Sequence, residues 1–338
     1  MRAAVLKKTG NIRNLKENLP VEETPVPEIN DDEVLINVKS ASVNHRDVWI
    51  TKGFYSKIEL PVIPGSDCAG IIHSAGKNVK EFKDGDEVTV NPAMNWGESD
   101  DFQGSDFKIL GMPDNGTFAE YVKVNKSQVF LKPSHLSMEE ASALPLTGIT
   151  AYNALFKKAK CTAGDTVLIT GIGGGVATSA LVFAVSAGAK VYVTSGSDEK
   201  INKAVSLGAA GGVNYNKEGW DKELEELSDK KISIAIDGTG SDIFLKCIEI
   251  VRYGGRIVSY GATKGNPNFF PMARLFWKQL KIYGTTMGTP EDFTGMIKYV
   301  NEKKVVPVID QIFSLENISD ALRRMSNGDQ IGKIVVRI

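Results

Sequence analysis

Cysteine is scarce in this chain. Cys68, Cys161 and Cys247 are the only three, an odd number spread far apart, so there is no disulfide framework and a reducing cytoplasm is expected. No sign of charge is in excess either: 40 Lys and Arg against 41 Asp and Glu leave a net charge of -1, which gives no electrostatic case for nucleic acid or an anionic membrane as partner. Long apolar runs are missing as well. None approaches the roughly 20 residues of a membrane span, and the N-terminal run from Ala3 to Leu6 is too short for a signal peptide. Repeats and low-complexity segments are absent.

What remains is the composition of a soluble enzyme, 42% hydrophobic and 24% charged over 338 residues, a length that suits two domains. The chain is organised around one stretch. Val167, Leu168 and Ile169 form a short apolar run, as in a central strand of a parallel sheet covered on both faces. Gly173, Gly174 and Gly175 then let the backbone turn and approach a ligand closely. From Ala177 to Ala187 the residues are small or apolar, a buried helix stopped at Gly188. A helix N-terminus facing a glycine turn suits a pyrophosphate. Aligned on Gly174, Gly175 and Val176, the dinucleotide fingerprint has Ile172 at its first glycine, Gly174 at its second and Ala177 at its third.

Further strands follow at 190–195, 234–237, 256–261 and 281–284, separated by helical segments. This alternation predicts an α/β fold with a doubly wound parallel sheet. The second strand speaks to the nucleotide. Its tip is Ser195, Gly196 and Ser197, followed by Asp198, Glu199 and Lys200, with no carboxylate at the tip itself. Hydroxyls and an ammonium favour the 2′-phosphate of NADP over the ribose hydroxyl of NAD.

Residues 1 to 148 read differently, as short strands near 3–6, 33–39 and 87–90 punctuated by Pro25, Pro27, Gly53, Pro61, Pro64 and Gly85. They predict an all-β, partly barrel-like domain. After Gly288 come two amphipathic helices, 291–302 and 319–325, and a closing strand from Lys333. The segment from 95 to 113, rich in Gly, Asp and Ser, reads as a candidate lid. Arg274 to Leu280 reads as domain packing or a subunit contact.

With these pieces placed, the chain resembles the medium-chain dehydrogenase/reductase superfamily. The resemblance is carried by Ala41 to Asp47, Pro64 to Ile72, Phe82 to Val88, Gly116 to Val122, Leu144 to Tyr152 and the glycine turn. It implies a GroES-like β domain formed by 1–148 and 289–338, a Rossmann dinucleotide-binding domain over 149–288, and a homodimer. In the zinc-dependent branch three ligands hold a catalytic metal; the matching positions here look like Asn44, Ser66 and Leu146, none a usual zinc ligand. The stretch that would form the structural zinc lobe, 95 to 111, has no cysteine. Arg46 stands where that branch has a hydroxyl proton relay. The departures are similar to the zinc-independent quinone oxidoreductase branch, which carries Val43, Asn44 and Asp47 in one motif and Gly53 with Tyr55 in another.

The resemblance implies roles for particular residues. Asn44 would hydrogen-bond the nicotinamide ribose or the substrate oxygen, and Arg46 and Tyr55 complete the catalytic set, with Arg46 set to stabilise charge on the substrate oxygen. His45 falls where a basic residue faces the pyrophosphate, and Thr147 near the carboxamide with Thr150 beside it. Gly261, Ala262 and Thr263 at one strand tip, and Thr286, Met287 and Gly288 at the next, would face the nicotinamide. Tyr215 looks like the aromatic near the adenosine phosphate, and Lys333 is a further candidate for the 2′-phosphate. The expected function is a zinc-independent, NADPH-dependent reductase of quinones or α,β-unsaturated carbonyls, acting on a small-molecule electrophile. The alternatives are an NADP-linked alcohol or aldehyde dehydrogenase with an altered metal site, and a catalytically quiet NADPH-binding protein.

Overall fold

The computed structural model describes every residue from Met1 to Ile338, and the chain divides into two compact units, Met1–Leu146 with Thr289–Ile338, and Thr147–Gly288. The first boundary falls after Leu146 rather than after 148.

The first unit is built on a seven-stranded sheet around Glu33–Ser42. Along that strand Val34, Ile36 and Val38 are buried, and they join a core with Phe118, Val122 and Ile334. Its far end fixes the later chemistry. Ser42 pairs with Val335 of the antiparallel strand Lys333–Arg337 on one side and with Asp67 of the antiparallel strand Asp67–Ala75 on the other. Two residues beyond Ser42 and two before Val335, this register sets Asn44 opposite Lys333. The helix His45–Lys52 begins there; Asp47 closes its first turn by accepting the N–H of Asn44 at 2.8 Å, and Gly53 ends it at φ +81°.

The segment from 95 to 113 is folded rather than open. The short strands Ala93–Met94 and Lys108–Ile109 pair, and the buried Trp96 donates its indole N–H to Ser99 and meets Phe107 edge-on. Close backbone approach ties this segment to the stretch just before the strand Asp67–Ala75: a Cβ on Gly111, at φ +94°, would lie 2.4 Å from the carbonyl oxygen of Gly65. Only glycine fits there.

The second unit is a six-stranded parallel sheet, numbered in chain order as β1 (Thr166–Ile169), β2 (Lys190–Ser195), β3 (Gly211–Asn214), β4 (Ile234–Asp237), β5 (Arg256–Ser259) and β6 (Lys281–Gly284). Its order is β3-β2-β1-β4-β5-β6, the doubly wound arrangement, with a switch point between β1 and β4. Continuous apolar runs explain the centre: Val167, Leu168 and Ile169, and Ile234, Ala235 and Ile236, are fully buried. The helix Gly175–Ser186 returns from β1 to β2 and packs Ala177, Ala180, Leu181 and Ala184 inward. No helix of the chain is long and apolar enough to cross a membrane.

Candidate functional site

In the first unit the register described above closes a buried polar cluster on Asp67. One carboxylate oxygen accepts from Asn44 Nδ2 at 2.9 Å, from Lys333 Nζ at 3.0 Å and from Ser42 Oγ at 3.2 Å; the other accepts the Leu146 N–H at 2.9 Å. Lys333 spends its other two donors on Asn44 Oδ1 at 2.6 Å and the Val43 carbonyl at 3.0 Å. An ammonium has three donors, so none is left for a 2′-phosphate. That corrects the reading of Lys333 as a ligand of the 2′-phosphate: it is 2% exposed and holds a charge inside the unit. Asn44 is itself 4% exposed, and with one N–H tied to Asp67 it keeps a single N–H for another partner.

Arg46 lies one turn-step away with a different kind of environment. Its Nη1 donates to Ser66 Oγ at 2.7 Å and to the Leu110 carbonyl at 2.8 Å, and its Nη2 reaches the Ile109 carbonyl at 3.4 Å. Tyr55 covers it, with the guanidinium carbon 5.1 Å from the ring centroid. The side chain is buried, its Nε has no partner, and every hydrogen bond it makes is to a neutral group. A buried guanidinium with no anion bonded to it, its charge felt only across space by Asp47, is costly. It marks a place prepared for negative charge.

The neighbours of Arg46 on the helix are tuned oppositely to what the sequence suggested for one of them. His45 is held below the usual imidazole value, first by burial and then by the charges of Lys333 and Lys52; it meets a ligand as a neutral donor or acceptor rather than as a cation for pyrophosphate. Asp47 is fully buried, and burial pushes its carboxyl up to about 6. Its Oδ1 has no partner. Because an unfolded Asp titrates at 3.8, the folded chain holds a proton between 3.8 and 6 that the unfolded chain releases. Stability from this group is therefore full below pH 4 and is lost as pH rises through 6. Relative to Asp47→Asn, the wild type should lose on the order of 3 kcal/mol between pH 4 and pH 7. Chemical denaturation of both proteins across that range checks this, and parallel curves would contradict it.

The positions that the zinc branch uses, Asn44, Ser66 and Leu146, carry no thiolate, imidazole or carboxylate. Asp67 is next to one of them but is already saturated with donors. Burial pushes the Cys68 thiol well up, and no group of three or more His, Cys, Asp or Glu side chains is placed to hold a metal ion. These residues do not fit a zinc site.

The second unit carries the nucleotide elements. Positive φ falls on Gly171 at +61° and Gly173 at +130°, so the turn begins one residue before the Ile172 of the sequence alignment. A Cβ on Gly174 would meet nothing within 4 Å, and no side chain caps the helix Gly175–Ser186. Its first N–H groups, at Gly175, Val176 and Ala177, are thus presented over open space, which fits a pyrophosphate. At the tip of β2, Ser195 is buried; its hydroxyl donates to the Ile172 carbonyl at 3.3 Å and accepts from the Ser197 N–H at 3.2 Å. It braces the turn instead of offering a donor to a phosphate. Ser197 accepts the Lys200 N–H as helix cap, leaving its own proton. Asp198 is engaged sideways by Asn214 at 2.9 Å and Lys217 at 3.2 Å, which lower its pKa, the Asn214 hydrogen bond foremost.

The remaining predicted contacts sit at strand tips of this unit. Thr263 donates both its N–H and its hydroxyl to the Gly238 carbonyl, bringing Gly261, Ala262 and Thr263 against the end of β4. Thr286, Met287 and Gly288 follow β6, with Met287 buried at φ +49° and Thr150 Oγ1 3.9 Å from its sulfur. Thr147 accepts from Ser179 Oγ at 3.2 Å. Asp237, at the end of β4, was not singled out from the sequence. It is fully buried, bonded by Thr170 and by the N–H groups of Thr239 and Gly240, and burial raises its pKa. It pins β1 and β4 together at the switch point.

Two family models match the chain: an alcohol dehydrogenase GroES-like domain over residues 30–134 and a zinc-binding dehydrogenase over 175–302. A zinc-type alcohol dehydrogenase-like protein, YogA, of Leptosphaeria maculans is 34% identical, covering 95% of this chain and 94% of its own. Among solved structures, an NAD-dependent alcohol dehydrogenase matches with a TM-score of 0.94 and 36% identity over the whole of both chains. The 2-octenoyl-CoA carboxylase reductase CinF, in complex with NADP and 2-octenoyl-CoA, matches with a TM-score of 0.88 and 27% identity, covering 99% of this chain and 87% of that one.

Proposed function

The chain belongs to the medium-chain dehydrogenase/reductase superfamily and is an NAD(P)-dependent oxidoreductase, and from that premise we propose that it is a zinc-independent, NADPH-dependent reductase of quinones or α,β-unsaturated carbonyls. The observation that carries this reading is Arg46, a buried guanidinium whose hydrogen-bond partners are all neutral, at the position where the resemblance places the hydroxyl relay of the zinc-dependent branch. NADPH, when bound, supplies a hydride. Arg46 then holds the negative charge that grows on the carbonyl oxygen of the acceptor, with Tyr55 shielding the guanidinium from water. Asn44 orients a ligand hydroxyl or carbonyl through its remaining N–H. The residues assigned here include no nucleophile, and Ser66, spent on the Leu110 carbonyl at 2.8 Å, is no general base. Hydride transfer to an activated alkene or quinone needs neither, and the enolate or hydroquinone anion it leaves takes its proton from water.

For the cofactor, the 2′-phosphate reading rests on the Ser197 hydroxyl, on Lys200 nearby and on Asp198 being engaged elsewhere. A second reading, alcohol or aldehyde oxidoreduction, is favoured by the name of the solved structure at 36% identity. A panel separates the two. With NADPH, rapid reduction of an enone and of 1,4-benzoquinone, with negligible turnover of saturated aldehydes or of alcohols with NADP⁺, is the expected outcome; the reverse ranking would favour the second reading, and binding without turnover would sink both. We place the protein in the cytoplasm, with no nucleic acid or membrane as partner, and as a homodimer. The short helix Met272–Trp277 buries none of its residues and, with Phe269, leaves Phe276 and Trp277 about two-thirds exposed, beside the edge strand β6. A second copy is the proposed cover, and light scattering should give twice 36.6 kDa; a single mass would contradict it.

A further inference from the structure

Lys264 and Tyr215 come from opposite sides of the switch point. Tyr215 directly follows β3, and its N–H donates to the Ser195 carbonyl at 3.0 Å, which lays the residue along the tip of β2. Its ring crosses Gly196: a Cβ there would lie 3.1 Å from the phenol oxygen. Lys264 follows β5, and its N–H donates to the Thr239 carbonyl at 2.9 Å, which fixes it at the tip of β4. Between these anchors runs β1 with the glycine turn. The ammonium of Lys264 nevertheless reaches 4.0 Å from the Tyr215 ring centroid, so the pair spans the crevice in which open α/β sheets bind their ligands.

We propose that Lys264 is a cofactor-specificity residue, which supplies the cation for the ribose 2′-phosphate, with Tyr215 as the platform that parks it over the tip of β2. This rests on the reading that the chain uses NADPH. Lys264 is exposed and forms no ion pair, so its charge has no competing carboxylate to leave. An exposed ammonium on a ring face is held weakly, whereas a phosphate dianion offers charge-assisted hydrogen bonds. The stem of lysine is flexible enough to exchange one for the other. Ser197, with its hydroxyl proton unspent, provides a second donor at the same tip. Asp198, which would repel the phosphate, is held by Asn214 and Lys217.

The test is fluorescence titration of the purified full chain with NADPH and with NADH, for the wild type and for Lys264→Met and Lys264→Arg. Lys264→Met keeps the length of the stem and removes the charge at an exposed position, so folding should be intact. It is expected to weaken NADPH binding about tenfold or more while leaving NADH within about twofold, and Lys264→Arg should restore the preference. Competition by 2′,5′-ADP against bound NADPH should weaken in parallel. Retained NADPH preference in Lys264→Met would overturn the assignment alone, as would an equal loss for both nucleotides, which would mean a clasp blind to the phosphate. A wild type that prefers NADH would overturn the cofactor reading itself, and this inference with it.

Discussion

Arg46→Met should lower kcat for enone reduction about 10²- to 10³-fold, roughly 3 to 4 kcal/mol of transition-state stabilisation, while the Kd of NADPH stays nearly unchanged. The magnitude follows from where the charge sits. Its hydrogen bonds go to Ser66 Oγ and to two backbone carbonyls, and no carboxylate lies within ion-pair distance. In a buried setting such a charge acts strongly on any oxygen that turns negative during the reaction. Arg46→Lys keeps the charge and loses the fork, so an intermediate rate is expected. The Leu110 carbonyl retains the Ser66 hydroxyl in either variant, which limits the structural damage. An unchanged kcat in Arg46→Met would remove Arg46 from the chemistry; a loss confined to KM would make it a binding residue only.

Lys333→Met should be the most destabilising single change at the cluster, by about 3 to 5 kcal/mol. It leaves Asp67, fully buried, as a carboxylate supported only by Asn44, Ser42 and the Leu146 N–H. The penalty is that of an uncompensated charge, not of a lost contact, so it should shrink when the charge goes too. Asp67→Asn combined with Lys333→Met is expected to recover a good part of the loss, and the double-mutant cycle should show coupling above about 1 kcal/mol. Additive losses would mean that the two charges do not support each other. The same cluster accounts for the position of Asn44, since the ammonium and the carboxylate grip its two amide ends.

The contrast between Lys333 and the strands shows what a sequence can reveal. The strands at 190–195, 234–237 and 281–284 were legible because each is a run of β-branched and apolar residues closed by Gly, Ser or Asp, and the α/β fold follows from their alternation with helices. The ion pair of Lys333 joins residues 266 apart in the chain; nothing local distinguishes it from a solvated lysine in a terminal strand. Only the registers Ser42 with Val335 and Ser42 with Asp67 bring it inward. Ser195 is similar, since whether a hydroxyl faces a ligand or a carbonyl depends on how the next turn folds. The glycine turn was offset by a residue because identity alone does not say which glycine takes positive φ; here Gly171 and Gly173 do. Lys264 was invisible for a plainer reason: its contact depends on a loop folding back across two strand tips. One signal was readable. Asp67 beside Ser66, in a segment otherwise apolar and small, asked for a cation, and Lys333 was the buried one that answered.

The central claim is that a guanidinium, with no metal, supports reduction of a conjugated carbonyl. It is tested most directly by dialysing the purified protein against a strong chelator, measuring its zinc content, and following NADPH oxidation by an enone before and after. The account predicts zinc far below one ion per chain and an unaltered rate. Stoichiometric zinc, with activity lost on its removal and restored on its return, would contradict it.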